Sequence, residues 1–160
     1  MKRISFSTDN VGGLATIIAI PVADFNRVKT DFTTGKKYTS VASLDQVIEL
    51  PVVNDTSCSF DEKHVLEDGG ETYAVTIQGV IPRNETEAKL INTLERGEWL
   101  VLHMDRNGIC ILSGTKDVPL FFASNRQSGA STAATNGNAF VFSGQEPAPS
   151  VVVESNIIIE

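Results

Sequence analysis

The stretch NETEAKLINTLERGEWLVLHMDRNGICILS, residues 84–113, decides the fold. It begins with Asn84, whose short side chain can accept from the orphan N–H groups of a helix start, and Glu87 stands three residues on, as in a capping box. Ala88, Leu90, Ile91 and Leu94 then recur at helical spacing among Glu85, Lys89, Asn92 and Glu95, and Gly97 stands where a helix stops. The spacing predicts one amphipathic helix over residues 84–96. From Glu98 the period changes. Glu98–Met104 and Ile109–Ser113 are apolar runs of strand length around Asp105-Arg106-Asn107-Gly108, and Asn-Gly is the strongest short signal for a hairpin.

Outward from this stretch the pattern is one of strands. Met1–Ser7 alternates, with Ile4 and Phe6 on one face. Leu14–Val22 is continuously apolar and rich in isoleucine, as in a strand covered on both faces. Asp24–Ser40 is polar around Thr34-Gly35 and reads as a long loop or a loose hairpin. Val47–Val53 carries Pro51, which cannot donate to a ladder and so suits an edge. Cys58–Leu66 and Glu71–Val80 flank Asp68-Gly69-Gly70, a second hairpin signal. Val118–Ser124 and Ala139–Ser143 lie on either side of Gln127–Asn138, a tract of small polar residues that can bury nothing. Glu146-Pro147-Ala148-Pro149 is a stiff spacer before Val151–Glu160 with its triple Val and triple Ile. Eight or more strands with a lone helix predict a mainly β fold: a β-sandwich or a partly open β-barrel with one flanking α-helix. Residues 1–146 read as one β domain and 147–160 as a spacer plus a C-terminal strand or arm.

The 160 residues include 13 Lys+Arg against 20 Asp+Glu, a net charge of −7, and 41% are hydrophobic. That is enough apolar material for a core, while the acidic balance argues against sequence-specific nucleic-acid binding and against an anionic membrane. No apolar run approaches the roughly 20 residues of a membrane span. Lys2 and Arg3 precede Val11–Ala23, but Gly12-Gly13 and Pro21 interrupt it, so it reads as a strand and not as a signal peptide. Cys58 and Cys110 lie in apolar patterns and read as reduced core thiols of a cytosolic chain. The sequons at Asn54 and Asn84 mean nothing without secretion.

Few residues offer chemistry. A two-residue Asn107-Gly108 turn sets Asp105 opposite Cys110 with His103 on the same face, a nucleophile beside its base and orienter. A four-residue loop pairs His103 with Cys110 instead. The blander reading is preferred: Leu100, Leu102, Met104, Ile109 and Ile111 form the buried face and His103 and Asp105 point outward. His64 has only Asp61 and Glu62 nearby, too few ligands for zinc, and reads as a surface or interface histidine. Gly12-Gly13 lacks the Lys-Ser/Thr of a phosphate loop, and no Gly-x-Ser-x-Gly elbow occurs. The expectation is no catalytic, cofactor-binding or metal-binding residue. A carbohydrate- or host-surface-binding module is the alternative; it would need Trp99, Tyr73 or Tyr38 as exposed platforms, yet Trp99 and Tyr73 sit in apolar patterns.

Charge is more telling. Residues 45–71 hold eight acids, Asp61, Glu62, Glu67 and Asp68 among them, against Lys63; residues 27–37 hold Arg27, Lys29, Lys36 and Lys37 against Asp31. Charge runs of this kind are in most proteins solvated faces; the sharper reading is of two complementary surfaces that meet head to tail between copies, a contact that builds rings or stacks. Ile157, Ile158 and Ile159 would be hazardous on an open edge and must pair with their own sheet or with a neighbouring subunit. These three groups are the candidate assembly surfaces.

The segment Gly70-Glu71-Thr72-Tyr73-Ala74-Val75-Thr76-Ile77-Gln78-Gly79, the helix ending Leu94-Glu95-Arg96-Gly97, then Trp99–Met104, Asp105-Arg106-Asn107-Gly108 and Leu112-Ser113-Gly114-Thr115 resembles structural proteins of tailed phages and prophages, above all tail-tube and tail-associated proteins. The resemblance covers roughly residues 58–154. It implies a β-sandwich or barrel with one helix, rings that stack through loops and terminal arms, and no catalytic residues. The expected protein is thus a virion component assembled in the host cytoplasm, with itself and other virion proteins as partners. Loops 24–40 and 125–138 and residues 147–160 would be the arms, and Asp45–Glu71 would line a lumen or face the adjacent ring.

Overall fold

The computed structural model describes residues 11–52, 58–82, 87–127 and 136–160. The Met1–Ser7 strand, the Asn84 cap, both sequons and most of the Gln127–Asn138 tract lie outside them. In chain order the elements are β1 (Leu14–Pro21), β2 (Phe25–Thr30), β3 (Lys37–Val41), β4 (Ile48–Leu50), β5 (Ser59–Glu67), β6 (Gly70–Pro82), α1 (Glu87–Arg96), β7 (Glu98–Asp105), β8 (Cys110–Ser113), β9 (Leu120–Gln127), β10 (Gly137–Glu146), β11 (Val151–Val153) and β12 (Ile157–Ile159). Among the described residues the fold is mainly β with one flanking helix, as the strand rhythm predicts.

The larger sheet runs β11-β8-β7-β9-β10-β6-β5, with β1 on the other side of β7 and β4 beyond β1. One side of β7 is shared: Val101–Met104 pair with β8, while Glu98 and Trp99 pair with β9. The sheet curls until the Leu14 N–H donates to the Cys58 carbonyl at 3.1 Å, but the ladder does not close into a barrel. Ile17, Val75, Ile77, Val101, Phe140 and Phe142 fill the inside of the curl. The smaller sheet, β12-β3-β2, covers the opposite face of β1, β7, β8 and β11. There Phe25, Val41 and Ile157 meet Ile20, Leu100, Leu102, Leu112 and Val153. Having a core on each face is why β1 and β7 are apolar throughout instead of alternating.

The polar stretch Asp24–Ser40 is an ordered hairpin, β2 with β3, and not a loop. The C-terminal residues pair within the chain. Val151–Val153 extend β8, and Ile157, Ile158 and Ile159 lie parallel to Thr39, Ser40 and Val41. Of the two pairings open to the C-terminal strand, the structure carries the one with its own sheets. The β5–β6 hairpin turns through Asp68-Gly69, and it is Gly70 that takes the positive φ, 132°.

The Asn107-Gly108 hairpin departs from both expected registers. Met104 pairs with Cys110 and His103 with Ile111. Gly108 N–H donates to the Asp105 carbonyl, Gly108 has a φ of 85°, and Asp105 N–H donates to the Ile109 carbonyl. This is a three-residue loop with a glycine bulge. The Asp105 carboxylate holds it by accepting from the N–H groups of Asn107 and Ile109 at 2.9 and 2.8 Å. An odd shift of register exchanges faces, so this loop decides where His103 and Cys110 point.

Helix α1 packs Leu90, Ile91 and Leu94 against the inner core. Gly97 ends it for a reason other than a left-handed backbone, since Gly97 has no positive φ. The Trp99 indole N–H donates to the Leu94 carbonyl at 2.9 Å, and its ring lies where a Gly97 side chain would stand, 2.6 Å from an added Cβ. Gly97→Ala is therefore expected to cost about 1–3 kcal/mol by overpacking against a buried ring. Gly69→Ala, with open space around it, should stay within about 0.5 kcal/mol. Urea unfolding of the two variants checks the contrast.

Candidate functional site

The curl brings a line of polar groups from four strands and one loop between apolar layers. His103, 1% exposed, has its ring centroid 4.3 Å from that of Phe60, and its Nε2 forms a 3.2 Å hydrogen bond with Ser113 Oγ. Ser113 Oγ lies 2.9 Å from Ser150 Oγ, and the Ser150 N–H donates to the Glu62 carboxylate at 2.8 Å. Beside them Glu146, 3% exposed, accepts from the Gly114 N–H at 2.8 Å. Burial drives the His103 pKa down to about 4, with Asp105 pulling weakly the other way. Burial also raises the Glu146 carboxyl; the Gly114 N–H opposes this and the Glu62 charge adds to it.

The outward placement expected for His103 is thus corrected. A strand covered on both faces leaves no outward side, and the histidine is accommodated by a hydroxyl and a tilted aromatic ring. The Cys110–His103 pairing is not formed either. Cys110 lies with Leu100 and Leu102 under the smaller sheet, whereas His103 faces the other core with Phe60. Burial pushes the Cys110 thiol up to about 11, away from the thiolate a nucleophile needs. Cys58 is buried and free. Among the described residues no group of three or more His, Cys, Asp or Glu side chains could hold a metal.

The assembly candidates fall in three places. Arg27 and Lys29 approach Glu160 at 3.7 and 3.2 Å, and Lys36 approaches Glu154 at 3.5 Å. Much of the basic segment therefore meets the chain's own C-terminal acids and not the 45–71 stretch; Lys37 is exposed with no ion pair among the described residues. Asp61, Glu67 and Asp68 are exposed on the β5–β6 hairpin, while Glu62 turns inward to Ser150. On the same hairpin His64 meets Glu71 at 2.8 Å, and Tyr73 donates to Glu71 at 2.9 Å. Ile157 and Ile158 are half-buried and Ile159 is 56% exposed.

Two features escape the sequence reading. Phe32, at the tip of the β2–β3 hairpin, is 97% exposed. A lone large apolar residue inside the turn-rich Asp31-Phe32-Thr33-Thr34-Gly35 is the signal that could have found it. The second is a cleft of about 830 Å³ between the β1–β2 connection (Val22, Ala23), residues 45–48 (Asp45, Gln46) and the carbonyl end of α1 (Thr93, Arg96). Only part of Trp99 reaches its wall; at 2% exposure the ring is core and offers no sugar platform. No family model, curated protein or solved structure matches this chain.

Proposed function

We propose that the chain is a structural subunit that works by homo-oligomeric assembly, as a phage or prophage virion component, probing no substrate and carrying no catalytic residue. The virion assignment rests on the resemblance of residues 58–154 to tail-associated proteins. The observation that carries self-assembly is the presentation of large apolar side chains at hairpin tips: Phe32 at 97% and Leu66 at 76% exposure. Aromatic side chains are enriched at the centres of protein–protein contacts, where one anchor can carry much of the affinity. In this reading the partners are other copies and other virion proteins, the site of assembly is the host cytoplasm, and the net charge of −7 keeps DNA from adhering.

Light scattering coupled to size exclusion, with negative-stain imaging, tests the proposal. Rings or stacks that grow with protein concentration are expected. A monomer at every concentration overturns it.

A further inference from the structure

We infer that Phe32 is an anchor that seats in the cleft at the carbonyl end of α1 on the next copy of this chain. The inference deepens the reading of the protein as a self-assembling subunit and rests on it.

The tip is built to hold a ring in solvent. The Asp31 carboxylate accepts from the Thr33 N–H at 2.9 Å and from the Thr34 hydroxyl at 2.8 Å. The Gly35 N–H donates to the Asp31 carbonyl at 2.7 Å, the Asp31 N–H donates to the Lys36 carbonyl at 2.9 Å, and Gly35 adopts a φ of 70°. The Thr34 hydroxyl, with the Thr33 N–H, holds the Asp31 carboxyl below its ordinary range, as expected of a carboxylate used as a cap. A turn fixed in this way loses little freedom when its phenylalanine is bound, so more of the burial remains as affinity.

The cleft fits such an anchor in size and charge. At about 830 Å³ it is an open cleft with room for a ring and the turn that carries it. Its walls carry Asp45 and Glu98 against Arg96, and the carbonyl end of α1 adds partial negative charge. Beside the turn, Glu160 and Glu154 meet Lys29 and Lys36, and Lys37 is the exposed cation left to face the acidic cleft. Lys37 has no ion pair of its own among the described residues.

The chain cannot fill its own cleft. The six residues of β2 separate the Ala23 wall from the turn, and an extended strand of that length spans about 20 Å. Anchor and cleft are also different patches, so each contact leaves one of each unused on the pair. A contact of this kind propagates into a ring or a stack.

Phe32→Ser is expected to raise the protein concentration needed for assembly about 10- to 100-fold, the factor that corresponds to burying one such side chain. Its circular dichroism and urea midpoint should match the wild type, because Phe32 is 97% exposed in the monomer. Thr33→Cys and Gln46→Cys copies, both of which keep the Phe32 ring, mixed and oxidised with copper–phenanthroline, should give a cross-linked dimer that neither gives alone. Wild-type assembly that persists unchanged in Phe32→Ser overturns this inference and leaves self-assembly standing; a monomeric wild type overturns both. Efficient cross-linking of Thr33→Cys alone would mean that tips meet tips, and Phe32-dependent binding to anionic phospholipid vesicles would assign the ring to a membrane. Either result overturns the inference.

Discussion

Phe142→Ala is expected to remove about 3–5 kcal/mol from the stability of the fold. Phe142 is fully buried, its ring centroid 5.0 Å from that of Phe122 and 6.0 Å from that of Phe140 in near-perpendicular arrangements. It stands on β10, between β6 and β9, at the centre of the curled sheet. Truncation there loses both the transfer of the ring from water and the contacts of the walls left around the void. The rigid ladders on either side prevent the walls from collapsing into it. For a domain of this size the melting temperature should fall by roughly 6–20 °C. Phe121→Ala, on the solvent side of β9 at 55% exposure, should change stability by no more than about 0.5 kcal/mol. Urea midpoints with an unchanged slope check both. A loss below about 1 kcal/mol for Phe142→Ala would refute this account of the core.

The second large effect is on acid stability. A histidine ordinarily titrates near 6.5, whereas His103 in the fold titrates at about 4. The unfolded chain therefore binds this proton more tightly. Stability is full above about pH 6.5 and is lost as the pH falls towards 4, by at most about 3 kcal/mol. Glu146 opposes part of this loss, since its raised carboxyl takes up a proton more readily in the fold than out of it. The groups facing His103 are Ser113 and the Phe60 ring, with Asp105 supplying the nearby charge. In His103→Leu the acid limb between pH 6.5 and 4.5 should flatten, while Ser113 keeps Ser150 as its partner. If the wild-type urea midpoint were the same at pH 7 and pH 4.5, the burial of a neutral imidazole would not be what sets this slope.

Much of the fold was legible because its signals are local. The α1 pattern, the continuous apolar run of β1 and the glycine hairpins each follow from a period or a turn residue. Register was not legible. Asn107-Gly108 announces a hairpin, but only the Asp105 carboxylate bonding two N–H groups selects the three-residue loop, and one residue of slip exchanges the faces of His103 and Cys110. Gly97 illustrates the same limit. The position was read correctly as a stop, yet its cause is a tryptophan ring two residues on. The charge pattern showed opposed acidic and basic segments, but not that Glu154 and Glu160 would reach Lys36 and Lys29. The cleft could not be foreseen, because its walls come from three parts of the chain that meet only after folding.

The C-terminal strands have a consequence for the order in which the molecule can be made. β12 lies parallel to β3, and β11 closes the edge of β8, so one short segment touches both sheets. During synthesis the β2–β3 hairpin emerges early, and one side of it stays unpaired until residues 151–159 leave the ribosome. Until then the second core lacks Val153 and Ile157, and Val41 and Leu112 are without part of their cover. Closing so long a loop is slow and comes last. In the proposed assembly this order sets a time: a nascent chain has a hairpin without its final strand, and the Phe32 tip is mounted on a finished support only when translation of this segment is complete.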